Sequence, residues 1–131
     1  MIDHISLMVS DVPSSRVFYE RALAPLGYRV LVEHGPVVGL GAPTDGGGPM
    51  ADLWLVPGED PQPVHLALTA GSTEQVEAFH AAALAAGGSD NGGPGERPWY
   101  HPGYYGAFVL DPDGHNLEVV CHEGPVGQAP V

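Results

Sequence analysis

HNLEVVCH, residues 115–122, has the composition of a buried strand except for Glu118. An ionised carboxylate taken out of water costs several kcal/mol unless something cationic meets it. The chain offers only four cationic side chains for that purpose, Arg16, Arg21, Arg29 and Arg97, and it has no lysine. Glu118 therefore pairs either with Arg29 or Arg97 or with a metal ion. Two histidines support the metal. His4 and His65 each stand at the start of a short alternating apolar segment. Two imidazoles and one carboxylate make an open-sided ligand set for Zn, Fe, Mn, Ni or Cu. A metal reading needs His4, His65 and Glu118 on one face.

The elements that would place them there come from an internal repeat. Shifting the chain by 61 positions lays residues 4–27 on 65–88, and seven of those 24 pairs are identical, His4/His65, Leu7/Leu68, Phe18/Phe79 and Gly27/Gly88 among them. Each copy opens with a histidine, continues as an alternating strand, turns, and enters a helix closed by glycine. Helix one is expected after Asp11, with Pro13 in its first turn and Val17, Phe18, Ala22 and Leu26 at helical spacing. Helix two is expected from Ser72 through Val76, Phe79, Ala83 and Leu84 to Gly87–Gly88. Further strands are expected at 28–34, 37–41, 51–56, 104–110 and 115–121, the last two joined by the turn Asp111–Pro112–Asp113–Gly114. Residues 42–49 read as a loop. The Gly/Pro/Asn-rich segment 89–103 gives no clear strand signal.

Each copy thus reads β-α-β-β-β. The expected fold is α+β: two tandem modules forming a concave, cup-like mixed sheet with the helices on its outer face. The chain makes one domain, with module one at 1–57, module two at 62–123 and a flexible tail at 124–131. Strand alternation then assigns faces. Ile5, Leu7 and Val9 cover helix one, so His4, Ser6 and Met8 look into the cup. Leu66 and Leu68 cover helix two, which turns His65 inward. Leu117, Val119 and Cys121 take the helix side, and Glu118 joins the two histidines. Trp54 occupies the place in module one that Glu118 occupies in module two.

Other residues extend the site. Tyr104, Tyr105, His101 and Trp99 cluster near it in sequence. One tyrosine, with His101 on the Gly/Pro-rich loop, is a candidate proton donor or orienting group. Alternation puts Tyr104 and Tyr105 on opposite faces, so one of them at most reaches the cup. Trp54, Met8, Tyr105 and Arg97 are candidate substrate contacts. His122 is a candidate support for a metal ligand, His115 reads as a strand-edge surface residue, and Cys121 as buried and inert. Asp111 and Asp113 begin like an EF-hand loop, but Pro112 and the histidine at the twelfth position argue for a plain turn.

Composition limits the partners. Sixteen acidic against four basic residues give a formal charge of −12, which excludes nucleic acid and anionic membrane surfaces as natural partners. Phosphate-bearing substrates are disfavoured for want of arginine and lysine. A neutral or cationic small molecule fits better. No apolar run approaches the ~18 residues of a membrane helix, and the opening residues lack a basic secretory n-region. A single cysteine, Cys121, allows no internal disulfide, so a cytoplasmic location is expected.

The paired modules, DHISLMVSD at the start, VHLAL at 64–68 and HPGYYGAFVLDPDGHNLEVVCHE at 101–123 resemble the vicinal oxygen chelate superfamily. This group includes glyoxalase I, extradiol dioxygenases, fosfomycin-resistance transferases and bleomycin-resistance proteins. The resemblance implies one divalent metal held by His4, His65 and Glu118, and a substrate bound through two neighbouring oxygens. It also implies a homodimer, in some members with modules exchanged between chains. Departures narrow the choice. Trp54 stands where glyoxalase I has a fourth ligand, and the cations that grip glutathione or a phosphonate are scarce. Bleomycin-binding members, whose cationic ligand would suit this charge, lack the ligand triad. The expectation is a metal-dependent dioxygenase or lyase, with ligand sequestration as the alternative.

Overall fold

A computed structural model describes residues 1–42 and 50–126. The loop read at 42–49 and the end of the tail, 127–131, lie almost wholly outside that description. Module one consists of β1 (Ile5–Val9), α1 (Val12–Ala22), β2 (Arg29–His34), β3 (Val37–Gly41) and β4 (Leu53–Pro57). Module two repeats the order as β5 (His65–Thr69), α2 (Thr73–Ala85), β6 (Ser89–Glu96), β7 (Tyr105–Leu110) and β8 (Asn116–Cys121). The fold is α+β with two tandem β-α-β-β-β modules. Instead of one sheet there are two four-stranded mixed sheets, ordered β1-β4-β3-β2 and β5-β8-β7-β6. The β1–β4 and β5–β8 pairs are parallel, and the other neighbours are antiparallel.

The repeat holds at the level of register. Ser6 pairs with Trp54 in module one, and Ala67, which is Ser6 shifted by 61, pairs with Glu118 in module two. Trp54 and Glu118 are thus equivalent positions on equivalent strands.

Local chemistry sets the helix ends. The Asp11 side chain accepts from the Ser14 amide at the start of α1, and Ser72 Oγ accepts from the Gln75 amide at the start of α2, each satisfying a donor that the first turn leaves without a helical partner. The first α-helix stops at Ala22, short of the expected glycine, because Pro25 can supply no amide hydrogen to continue it. A 3₁₀ turn at Ala24–Leu26 follows, closed by Gly27 at φ 82°, a left-handed conformation that glycine adopts at little cost. The buried face of α1 is Val12, Ser15, Phe18, Tyr19 and Ala22. Val17 and Leu84, expected inward, stand 47% and 37% exposed.

Both helices pack on their own sheets and against each other. Leu7, Phe18, Tyr19, Leu40 and Leu55 of module one thereby share one core with Phe79, Val109, Leu117 and Val119 of module two. Truncating a fully buried aromatic such as Phe79 costs about 3–5 kcal/mol in a core of this kind.

Residues 89–96 form a strand that the sequence concealed. Pairing of β6 with β7 skips between Asp90 and Gly92 and again between Gly92 and Gly95, so no regular alternation survives, and Pro94 is tolerated because β6 is an edge strand. Arg97 holds the irregular strand. Its guanidinium donates to the carbonyls of Gly95 (2.7 Å), Gly106 (3.0 Å) and Gly93 (2.8 Å) and lies 5.4 Å from the Phe108 ring centroid.

Candidate metal centre

Glu118 is 2% exposed at the centre of β8. None of the four arginines meets it. His65 Nε2 lies 2.8 Å from Oε1, and the Tyr104 hydroxyl donates to Oε2. Phe108, opposite Glu118 in the β7–β8 ladder, tilts against the His65 ring at 6.1 Å. Strand geometry explains the convergence. Ala67 is the direct partner of Glu118, so His65, two residues away, shares its face. Gly106 leaves room: a Cβ there would stand 3.3 Å from Tyr104 Cε1 and 3.4 Å from Glu118 Oε2.

The donor set fits a divalent cation. A neutral imidazole nitrogen and a carboxylate oxygen are borderline-hard donors, and two donors each about 2.1 Å from one ion sit about 3 Å apart at a right angle. His65 Nε2 and Glu118 Oε1 already keep that separation, bridged by one proton that an ion would replace. The His65 side chain is 55% exposed, so the site opens to solvent on the imidazole side.

The two neighbouring tyrosines diverge as alternation requires. Tyr104 faces Glu118, whereas the Tyr105 hydroxyl bonds Glu77 of α2 at 2.9 Å on the outer face, away from the candidate centre. Burial, then the hydrogen bond and negative charge of Glu118, raise the Tyr104 phenol above the usual tyrosine range, so it is a donor at neutral pH. His101 bonds the Pro102 carbonyl (2.7 Å) and His122 (2.9 Å), and both imidazoles pack edge-on against the Tyr104 ring.

Module one contributes differently. His4 is exposed and its Nδ1 lies 2.6 Å from Asp3 Oδ1. His4 borders a cavity of about 210 Å³ also lined by Leu66, Ala67 and Leu68 of β5, but among the described residues it does not cluster with His65 and Glu118. Trp54 and Met8 share its strand face, with the indole lying across Gly39: a Cβ there would be 2.9 Å from the ring. A larger cavity, about 600 Å³, lies elsewhere, between the start of α1 and the β2–β3 turn. It is lined by prolines, valines and the Arg16–Glu33 pair and holds no histidine.

One group among the described residues gathers three metal-type donors within 4.8 Å: Asp111, Asp113 and His115. It is a candidate by proximity, yet its atoms are committed. Asp111 Oδ1 accepts from the Asp113 and His115 amides and Oδ2 from the Tyr19 hydroxyl. Asp113 accepts from the Ser10 amide and hydroxyl. His115 is 1% exposed rather than at the surface. Its Nδ1 accepts from the Val64 amide (3.0 Å) and its Nε2–H donates to the Met8 carbonyl (2.8 Å), so the imidazole has no lone pair to spare. As folded, this cluster fastens module two to β1. Sequence reasoning missed it because Met8 and His115 are 107 positions apart.

A model of the glyoxalase/bleomycin resistance protein/dioxygenase superfamily matches residues 1–119. A glyoxalase/bleomycin resistance protein from Albidiferax ferrireducens T118 is 27% identical over 91% of this chain and 96% of its own, with a TM-score of 0.71. At lower identity the fold alone is shared. A glyoxalase-related enzyme from Fulvimarina pelagi matches at 19% over 99% of both chains (TM-score 0.66). A glyoxalase/bleomycin resistance protein/dioxygenase family enzyme from Burkholderia phytofirmans PsJN matches at 18% over 92% of this chain and 97% of its own (TM-score 0.67). No curated protein sequence matches the chain at a significant level.

Proposed function

The chain belongs to the glyoxalase/bleomycin resistance protein/dioxygenase superfamily, and from that premise we propose that it is a divalent-metal-dependent enzyme of the dioxygenase or lyase type. Its substrate is a small molecule that meets the metal through two adjacent oxygens. The observation that carries this reading is Glu118: a buried carboxylate bonded to an imidazole nitrogen, with no guanidinium beside it. Zinc, iron, manganese or nickel bound there would act as a Lewis acid or, with a redox-active ion, engage dioxygen.

The chain's own residues hold and shape the site. His65 and Glu118 are the donors from module two, and His4 is the proposed third donor from module one. Tyr104 keeps its proton at the carboxylate, and His101 supports the ring. Phe108 forms an apolar floor. Arg97, with three donor contacts already made to backbone carbonyls, offers little to an anionic substrate, which favours a neutral one. A homodimer in the cytoplasm completes the proposal. No helix among the described residues is long and apolar enough to cross a membrane.

The first test is metal content of untagged protein, with His65→Ala in parallel. Stoichiometric metal in wild type and none in the variant is the expected result; no uptake of Fe(II), Mn(II), Zn(II) or Ni(II) by wild type contradicts the proposal. Mixing His4→Ala with His65→Ala protein after reversible unfolding then locates the third donor. If His4 comes from the second copy, about a quarter of the sites regain a full set; if it comes from the same chain, none do.

A second reading, sequestration of a cationic ligand without chemistry, draws support from the charge of −12 and from Trp99 and Tyr100, 72% and 59% exposed beside the site. Under it, Glu118→Gln leaves ligand binding intact.

A further inference from the structure

Glu118 has two oxygens, and the structure treats them differently. Oε1 faces His65 Nε2 at 2.8 Å, while Oε2 accepts from the Tyr104 hydroxyl. Resting on the metal reading above, we infer that Tyr104 is a positioning residue that reserves Oε2, so that Glu118 binds its cation through Oε1 alone.

Several features hold the phenol to that task. The Tyr104 backbone is pinned on both sides, its carbonyl accepting from the Arg97 amide at 2.8 Å and its amide donating to the His101 carbonyl at 3.2 Å. The ring is flanked by Tyr100 at 4.9 Å, His101 at 5.3 Å and His122 at 5.5 Å. These neighbours flank the ring of a half-buried Tyr104, and its hydroxyl donates to Oε2. The exposed aromatic group at 99–104 thus acquires a reason to exist: it braces a residue that braces a ligand. A hydrogen bond to the non-ligating oxygen of a carboxylate fixes its orientation and keeps a coordination position open, and loss of such a partner typically costs 10–100-fold in metal affinity. Monodentate binding by Glu118 leaves one more position for the two oxygens of a substrate than bidentate binding would.

Cobalt(II), whose visible absorption reports coordination number, is the probe, titrated into the full chain against a competing chelator. Tyr104→Phe keeps the ring and removes only the hydroxyl, and Tyr105→Phe, on the outer face, is the matched control. The expected result for Tyr104→Phe is an affinity about 10–100-fold weaker than wild type, with a weaker visible band as the freed Oε2 joins the ion. Tyr105→Phe should match wild type in both. Gly106→Ala, which crowds the same phenol, should move both readouts in the direction of Tyr104→Phe. The inference is overturned if Tyr104→Phe binds cobalt as wild type does, with an unchanged band, while Glu118→Gln abolishes binding. Wild type that takes up no cobalt overturns the inference together with the metal reading beneath it.

Discussion

The two modules share a backbone plan and diverge on one face. On the last strand, module one has Trp54 where module two has Glu118, each paired with an equivalent residue of the first strand, Ser6 and Ala67. Their neighbours compensate. Trp54 faces Gly39 across the β3–β4 ladder, and Glu118 faces Phe108 across β7–β8. Gly39 and Phe108 are 69 positions apart, and the same offset sets Tyr104 against Gly35, so module one has neither the carboxylate nor its phenol partner. The same scaffold can therefore hold a ring or a charge at one position, provided the adjacent strand changes with it. A charge also needs a donor to each oxygen, and only module two supplies both.

The largest effect that sharpens this contrast comes from exchanging the two residues' chemistry. Glu118→Gln should abolish stoichiometric metal uptake, whereas Trp54→Glu should create no second site, since His4, the proposed third donor of the first site, is not free to serve a second; elemental analysis of both proteins reads the difference. A second equivalent of metal in Trp54→Glu would show that the strand position alone suffices.

His115→Asn tests the coupling between the modules. Asparagine can still accept from the Val64 amide but cannot reach the Met8 carbonyl, which is left part-buried without its donor. A loss of about 1–3 kcal/mol is expected in the urea midpoint. A variant as stable as wild type would mean that the shared apolar core alone joins the halves.

Gly39→Ala and Gly106→Ala form a pair. A Cβ at 39 meets the Trp54 ring and Ala51 at 2.9 Å, and one at 106 meets its neighbours at 3.3 Å or beyond. Overpacking should cost about 1–3 kcal/mol at the first position and less at the second, measured by thermal unfolding. The reverse order would place the tighter packing in module two.

The smallest effects lie in the pH dependence. Burial first, then Asp111, raises the Tyr19 phenol, and burial first, then Asp52, raises that of Tyr28. Both pKa values exceed the unfolded value of about 10, so between the two the native state holds more protons than the unfolded state. The stability these groups contribute is complete below pH ~10 and is lost as pH rises beyond it. Position 80 in module two corresponds to Tyr19, and there His80 bonds Asp90 and lowers the Asp90 carboxyl. That contribution is present above the unfolded pKa and is lost as pH falls through the folded one. Tyr28→Phe should flatten the alkaline limb of stability against pH, and His80→Gln should change the acid limb only slightly, because Asp90 is at the surface. A larger acid effect than alkaline effect would contradict this division.

Much of this was legible in the sequence because it is periodic. The 61-residue repeat gave the two modules, and alternation of two gave the faces of β1, β5 and β8. That alternation sent Tyr104 and Tyr105 to opposite sides. Periodicity failed at β6, where two register shifts and a row of glycines erase the pattern, and at Val17 and Leu84, where helical spacing does not say how far the sheet's cover extends.

What the sequence determined by itself was the kind of chemistry available: a carboxylate in an apolar strand, imidazoles at repeated positions, and almost no cations to neutralise it. Those are properties of residue type and spacing, which short-range geometry carries unchanged into the fold. The tertiary structure alone decided which groups meet. It put His65 and Tyr104 on separate oxygens of Glu118 and left His4 with Asp3. It also turned the Asp111–His115 segment into a fastening against β1. Apart from the sequence neighbours His4 and Asp3, those pairings join residues separated by 14 to 107 positions, and their distances follow from how the strands and modules pack, which no local pattern encodes.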